Sequence, residues 1–229
     1  RGTDRPWAAK ARKRSKYILG QSREHACACT STIVPAEGNI ATQQANARTA
    51  TMKAFTRLLN YCAANPDAVV RYYASDMVLY IKSDASYLSE TKALSRPAEY
   101  HYLSNNPTQP NQQPAPNDPS PPMNGAIIVP CKVMRKILSG ASEAELAALF
   151  YNGKEGAPLR ITLEELGHPQ PPTPMVTDNS TASGIANESV KQKRSKAMDM
   201  RFYWIRDRVR QGQYLVYWRR GSTNRANYF

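Results

Sequence analysis

Met77-Val78-Leu79-Tyr80-Ile81-Lys82-Ser83-Asp84 decides how this chain folds. Five apolar or aromatic residues in succession, without polar alternation, describe a short strand covered on both faces, the kind found in the middle of a sheet. Asp84 is placed just past that run, where a strand end meets a loop. A carboxylate there is held rigidly on one side and open to solvent on the other.

Working outward toward the N-terminus, Thr51, Phe55, Leu58, Leu59 and Cys62 fall on one stripe of an amphipathic helix. Asn65-Pro66-Asp67 ends it, because the residue before proline avoids the helical region. Residues 1–25 are rich in Arg and Lys and lack periodicity, which predicts a disordered basic arm. Toward the C-terminus, Glu99 to Leu103 is a second strand. Residues 107–123 hold Pro107, Pro110, Pro114, Pro116, Pro119, Pro121 and Pro122, so they are an insertion or loop and neither helix nor central strand. Ala126 to Val129 is the next strand. Ser142 opens a helix with Leu146, Leu149 and Phe150 inward. Pro158 to Leu166 reads as a second helical piece closed by Gly167 and Pro169. Pro174 to Thr177 is a short strand ending at Asp178, and Ser180 to Ala186 a small-residue helix. A long helix follows from Ala197 to Gln211, with Met198, Phe202, Ile205 and Val209 on one face, stopped by Gly212. Tyr214 to Trp218 is the last strand. This order predicts an α/β fold with a mixed sheet flanked by helices.

The 229 residues suit one or two domains, and 41% hydrophobic content supports a core of ordinary size. The formal net charge of +13 favours a polyanionic partner, nucleic acid above all. No apolar run approaches the roughly 18 residues of a membrane span. The basic start without an apolar stretch is not a signal peptide. An intracellular location, in a cytoplasmic particle or the nucleus, is therefore expected, with no membrane partner. The four cysteines, Cys27, Cys29, Cys62 and Cys131, lack a following pair at zinc-site spacing and read as free thiols. His25, His101 and His168 form no catalytic set and read as structural.

The lone acids carry the chemistry. Asp84 and Asp178 each end a strand, and Glu145 lies in the first turn of a helix that follows a third strand. Three carboxylates meeting at strand mouths repel one another unless cations sit between them. Hard oxygen ligands suit Mg²⁺ or Mn²⁺, and two such ions about 4 Å apart serve phosphodiester hydrolysis. Each acid also has an ordinary reading. Asp84 caps a turn, Asp178 caps the helix after it, and Ser142-x-x-Glu145 is a capping box. Glu143 lies about 200° from Glu145 around a helix, so only one of the two faces a shared site.

From about Ala28 to Phe229 the chain resembles the C-terminal part of Copia-type retrotransposon polyproteins. Lys82-Ser83-Asp84-Ala85-Ser86-Tyr87 is similar to the first ribonuclease H strand with its metal-binding Asp. Ser142-Glu143-Ala144-Glu145-Leu146-Ala147-Ala148-Leu149 is similar to the helix motif whose second Glu is catalytic. Thr177-Asp178-Asn179-Ser180-Thr181-Ala182 resembles the motif of the third acid. Arg194 to Arg201 resembles the segment ahead of the long helix, and Thr51 to Pro66 the region joining reverse transcriptase to ribonuclease H. The resemblance implies a ribonuclease-H-like five-stranded mixed sheet at 69–229, preceded by a helical connection segment at 26–68. It implies hydrolysis of the RNA strand of RNA·DNA hybrids with two Mg²⁺ or Mn²⁺ ions. Asp84 would bridge both ions, and Glu145 and Asp178 would hold the one on the leaving-group side. In the final motif, Ser222 to Phe229, the family has Asp where this chain has Asn227, a poorer ligand that weakens one ion. Arg225 replaces the usual apolar residue. No Tyr-x-Asp-Asp-like motif occurs, so a reverse transcriptase core is expected on another chain. The alternative is a catalytically dead nucleic-acid-binding remnant of a degraded element.

A basic region gathers Lys193, Arg194, Lys196, Arg206 and Arg210. Arg206 and Arg210 share a helix face, with Tyr203 or Trp204 available to pack on sugar. The same face is also read as simply solvated. Contacts to phosphates are sequence-independent, and a hybrid is read by shape and 2′-hydroxyls.

Overall fold

Val78–Glu90 forms β1, whose first six residues are buried. A computed structural model of the chain describes residues 33–129, 132–190 and 201–228. The backbone divides into two compact units, Arg1–Arg71 and Tyr72–Phe229.

In the first unit, α1 (Val34–Gln43) and α2 (Thr49–Ala64) pack together. Thr51, Phe55 and Leu58 of the expected stripe are buried. Leu59 is not, at 38% exposure, so the apolar stripe is narrower than the sequence suggests. Cys62 is a half-buried free thiol, pushed up by burial. Cys27, Cys29, Cys131 and His25 lie outside the described residues.

In the second unit, β1 pairs antiparallel with β2 (Leu94–Ser104), and β2 with β3 (Ala126–Ile128). β4 (Thr173–Thr177) runs parallel to β1, and β5 (Tyr214–Trp218) parallel to β4. Among the described residues these make one five-stranded mixed sheet in the order β3-β2-β1-β4-β5. Alternate residues of β1 face opposite sides. Leu79 and Ile81 enter the main core with Leu146, Leu149, Met175, Ile185, Ile205 and Val216. These come from the sheet and from α3 (Ala141–Glu165), α4 (Ser180–Ala186) and α5 (Arg201–Arg210). On the other face, Tyr80 stacks on Tyr102 with ring centroids 5.5 Å apart.

The Pro-rich stretch 107–123 forms neither helix nor strand, as its composition requires. It and its flanks are fastened to the sheet instead. Tyr80 Oη donates to Asn105 O, Ser104 Oγ to Pro122 O, and Gln113 Nε2 to Val216 O.

Three expectations need correction. β1 does not stop before Asp84 but continues to Glu90, pairing Asp84 with Ala98 and Ser86 with Arg96. Residues Ser86–Ser89 are exposed, so no apolar pattern announces that continuation; backbone pairing in a ribbon sustains it. β2 likewise begins at Leu94 rather than Glu99. Pro97 lies opposite Ala85 in the β1 ladder, but on the far side of β2 the pairing with β3 reaches only His101 and Tyr102 and is followed by an isolated Ser95–Met134 bridge, so the missing proline N–H interrupts no continuous ladder there.

The third correction concerns the helix, which is a single 25-residue α3 with Pro158 inside it. Gly153, Gly156 and Pro158 are local breakers. Tertiary packing overrides them, since Gly156 lies against Ile81 and Tyr214, and Gly153 against Ile205 and Trp204. The small helix at Ser180–Ala186 and the last strand fall where expected. Residues 197–200 of the long helix lie outside the described residues. Gly212, at φ +70, follows its end as the sequence requires.

Candidate metal centre

Register explains why two of the acids meet. β1 and β4 are parallel, with Lys82 opposite Val176. Two residues further along the chain in each case are Asp84, still within β1, and Asp178, just past the end of β4, so register brings the two acids level. Glu145 approaches from α3, which packs on β1. One ligand oxygen from each of Asp84, Glu145 and Asp178 lies within 4.8 Å of the others. Among the described residues this is the one cluster of three or more metal-ligating side chains.

The ordinary readings of these acids do not hold. The N-cap of α3 is Gly140, which places Glu145 in the second turn rather than the first. The acid that bonds back is Glu143, whose Oε2 accepts from the Ser139 backbone N–H at 2.7 Å and from its hydroxyl. Asp178 is not the cap of α4, because Asn179 Oδ1 accepts the Ala182 N–H at 2.9 Å. Both site acids are therefore released from capping.

Glu145 is locked in place. Its Oε1 accepts the Ala85 N–H at 3.1 Å, and its Oε2 accepts the Thr177 hydroxyl at 3.2 Å. Burial pushes the Glu145 carboxyl up to about 9, assisted by the Asp84 charge, a hydrogen bond shared with Asp84, and the Asp178 charge. Asp178 is also raised, first by burial and then by Asp84. Asp84 acts on both neighbours and so sits electrostatically in the middle. Three crowded carboxylates, two of them raised by burial and by the neighbouring acid charges, offer oxygen donors alone and fit a hard divalent cation.

Asn227 stands at the edge of this group. Its Nδ2 donates to the Gly221 carbonyl at 2.9 Å. A methyl group on Gly221 would lie 2.5 Å from Asp178 Oδ2 and 3.3 Å from Asn227 Nδ2, so both side chains flank the same glycine. An aspartate at 227 would set an oxygen against that carbonyl and be turned away from it.

Sequence reading missed the residues that hold these groups. Asn224 Nδ2 donates to Ser83 O, tying the last segment to the strand that carries Asp84. Asn152 Nδ2 donates to Ser83 Oγ, and Trp218 Nε1 to Asp178 O. Their partners are 40 to 141 residues away in the chain, so no local pattern marks them. His101 is structural as expected: it is fully buried and held below its ordinary value, to about 4, by burial.

Of the basic group, Lys193, Arg194 and Lys196 lie outside the described residues. Arg206 and Arg210 both pair with Glu188. Trp204 packs edge-on against Phe150 at 5.8 Å, whereas Tyr203 is exposed. No helix among the described residues is long and apolar enough to cross a membrane.

Three antiparallel strands followed by two parallel ones, with acids on β1, on the helix after β3 and at the end of β4, define a ribonuclease-H-like domain. Over 85 residues the chain is 33% identical to the Retrovirus-related Pol polyprotein from transposon TNT 1-94 of Nicotiana tabacum. That match covers 37% of this chain and 6% of the polyprotein. No family model matches the chain. Among solved structures, the chain is similar to the N-terminal ribonuclease H domain of rv2228c from Mycobacterium tuberculosis, solved as a fusion with maltose-binding protein. The TM-score is 0.42 and the identity 10%, over 65% of this chain and 86% of that one. The fold assignment rests on the strand order and the placement of the acids.

Proposed function

We propose that this domain is a metal-dependent endoribonuclease of a Copia-type element, acting on the RNA strand of RNA·DNA hybrids. The observation that carries this is the convergence of the Asp84, Glu145 and Asp178 carboxylates within 4.8 Å. Asp84, whose charge acts on both other acids, would hold the metal together with Glu145 and Asp178. Mg²⁺ or Mn²⁺, when bound, supplies the Lewis acidity that eases water deprotonation and offsets charge on the phosphodiester. In-line attack of water on phosphorus breaks the bond to O3′, leaving a 3′-hydroxyl and a 5′-phosphate. Thr177 and the Ala85 N–H orient Glu145, and Trp218 holds the backbone of Asp178. Arg206 and Arg210 would contact the hybrid backbone, and Lys193, Arg194 and Lys196, which lie outside the described residues, are the further candidates that the sequence offers for that role. A reverse transcriptase core is its partner.

The test is cleavage of an end-labelled hybrid in Mg²⁺ or Mn²⁺ beside an Asp84→Asn control. Cleavage by the unaltered chain alone supports the assignment; equal product from both proteins rejects it. A second reading, hybrid binding without cleavage, is favoured by Asn227, which brings a neutral amide to the position of the fourth acid. Asn227→Asp separates the two: activity gained only in that variant identifies a silent copy on a sound scaffold.

A further inference from the structure

Glu188 is held by two guanidinium groups of α5. Arg210 meets it as a fork, Nε at 2.6 Å from Oε1 and Nη2 at 2.8 Å from Oε2. Arg206 adds Nη2 at 3.0 Å from Oε1, and its guanidinium lies 5.1 Å from the Tyr203 ring centroid. The backbone at Glu188 has φ 62, the left-handed region that glycine takes without strain. It follows Asn187, the C-cap of α4, and its N–H bonds Ile185 O while that of Val190 returns to Gly184 O. This is the place where helices commonly end on glycine. Here the chain instead spends a strained position on a side chain whose carboxylate reaches the arginines.

We infer that Arg206, Arg210 and Tyr203 form a docking fork for the phosphates of a nucleic-acid backbone, and that Glu188 fills the fork in the free protein and is displaced on binding. Fork-on-fork geometry serves a carboxylate and a phosphate alike, so one anion replaces the other without new design. The fork opens to an incoming strand mainly through Arg210, whose side chain is 65% exposed, against 33% for Glu188 and 25% for Arg206. Exposed ion pairs add little to stability, so releasing this one costs the fold little. Arg208, by contrast, is turned onto the Trp204 ring and toward Gln213 and is not part of the fork. The inference rests on the reading that the substrate is a nucleic acid.

The experiment is fluorescence anisotropy of a labelled RNA·DNA hybrid with the full chain in EDTA, across a salt series. Glu188→Gln tightens binding about fivefold or more and steepens the salt dependence by about one phosphate contact. Glu188→Gly, which suits the backbone at that position, does the same. Glu165→Gln changes net charge equally at a remote exposed site and leaves affinity within about twofold. Removing both arginines (Arg206→Ala with Arg210→Ala) weakens binding and abolishes the effect of Glu188→Gln. If the unaltered chain binds with a salt-dependent affinity that neither Glu188 variant changes, the fork is overturned and the hybrid reading stands. If no variant binds hybrid at low salt, both fall.

Discussion

The Thr177 hydroxyl donates to Glu145 Oε2 across 3.2 Å and accepts the Asn179 N–H at the same distance, so one buried side chain links the third acid's turn to the helix acid. Thr177→Val keeps the shape and removes the donor. Mn²⁺ affinity, followed by electron paramagnetic resonance, is expected to fall about tenfold, the usual cost of losing an orienting partner. Thr177→Ser restores it. An unchanged affinity in the valine variant would show that Ala85 alone orients Glu145.

Crowding of the acids makes the metal-free centre a source of instability. The unfolded chain loses the Glu145 proton near the ordinary value of 4.5, while the folded chain keeps it to about 9. Stability contributed by this group is therefore full at low pH and declines as pH rises through that window. Asp84→Asn relieves the repulsion and is expected to raise stability in EDTA by about 1–2 kcal/mol at neutral pH, more at pH 9 than at pH 5. The same substitution removes the thermal stabilisation that Mn²⁺ gives the unaltered protein. Thermal unfolding with and without Mn²⁺ reads both effects, and a lower melting temperature for Asp84→Asn in EDTA contradicts the prediction.

Two buried groups on β2 set opposite pH dependences. Burial, then the Glu155 charge, pushes Glu99 up to about 8. Burial holds His101 down to about 4. Between about 4.5 and 6.5 the unfolded chain releases the Glu99 proton, which lowers stability as pH rises, while its histidine releases one that the folded state never held, which raises it. The two effects oppose each other there. Of these two groups only Glu99 still acts from about 6.5 to 8, and it lowers stability by roughly 2 kcal/mol there, in addition to the decline from Glu145. Glu99→Gln removes its share and makes that decline shallower. Urea unfolding at pH 6.5 and pH 8 tests it, and an equal drop in both proteins assigns the decline elsewhere.

Two glycines separate fold from site. A methyl at Gly156 would sit 2.7 Å from Ile81 Cδ1, so Gly156→Ala is expected to cost about 1–3 kcal/mol of stability by overpacking. A methyl at Gly221 would sit 2.5 Å from Asp178 Oδ2. Gly221→Ala is therefore expected to weaken Mn²⁺ binding about tenfold or more with little change in melting temperature. Isothermal titration and thermal scans distinguish them, and equal metal affinity in Gly221→Ala would remove that glycine from the site.

Where burial follows local order, the fold was legible in residue pattern. Val78 to Ile81 are buried on both sides because a central strand has no solvent face. Helix Ser180–Ala186 was bounded by its cap and its small residues. Gly153, Gly156 and Pro158 misled in the other direction: propensity speaks for a break, and close packing against Ile81, Tyr214 and Trp204 holds the helix through it. Of the centre, Asp84, Glu145 and Asp178 were nameable one by one, but each also fitted a capping role.

Sequence alone determined where most strands and helices lie, though not how far β1, β2 and α3 extend, which acids are candidates for the centre, and that the chain is strongly basic. Those properties depend on side chains within a few residues of one another. Only the tertiary structure decided that Glu143 and Asn179 do the capping, that parallel register brings Asp84 level with Asp178, and that Glu188 takes up Arg206 and Arg210. Such pairings depend on distances between groups far apart in the chain, which are fixed when the sheet and its helices pack.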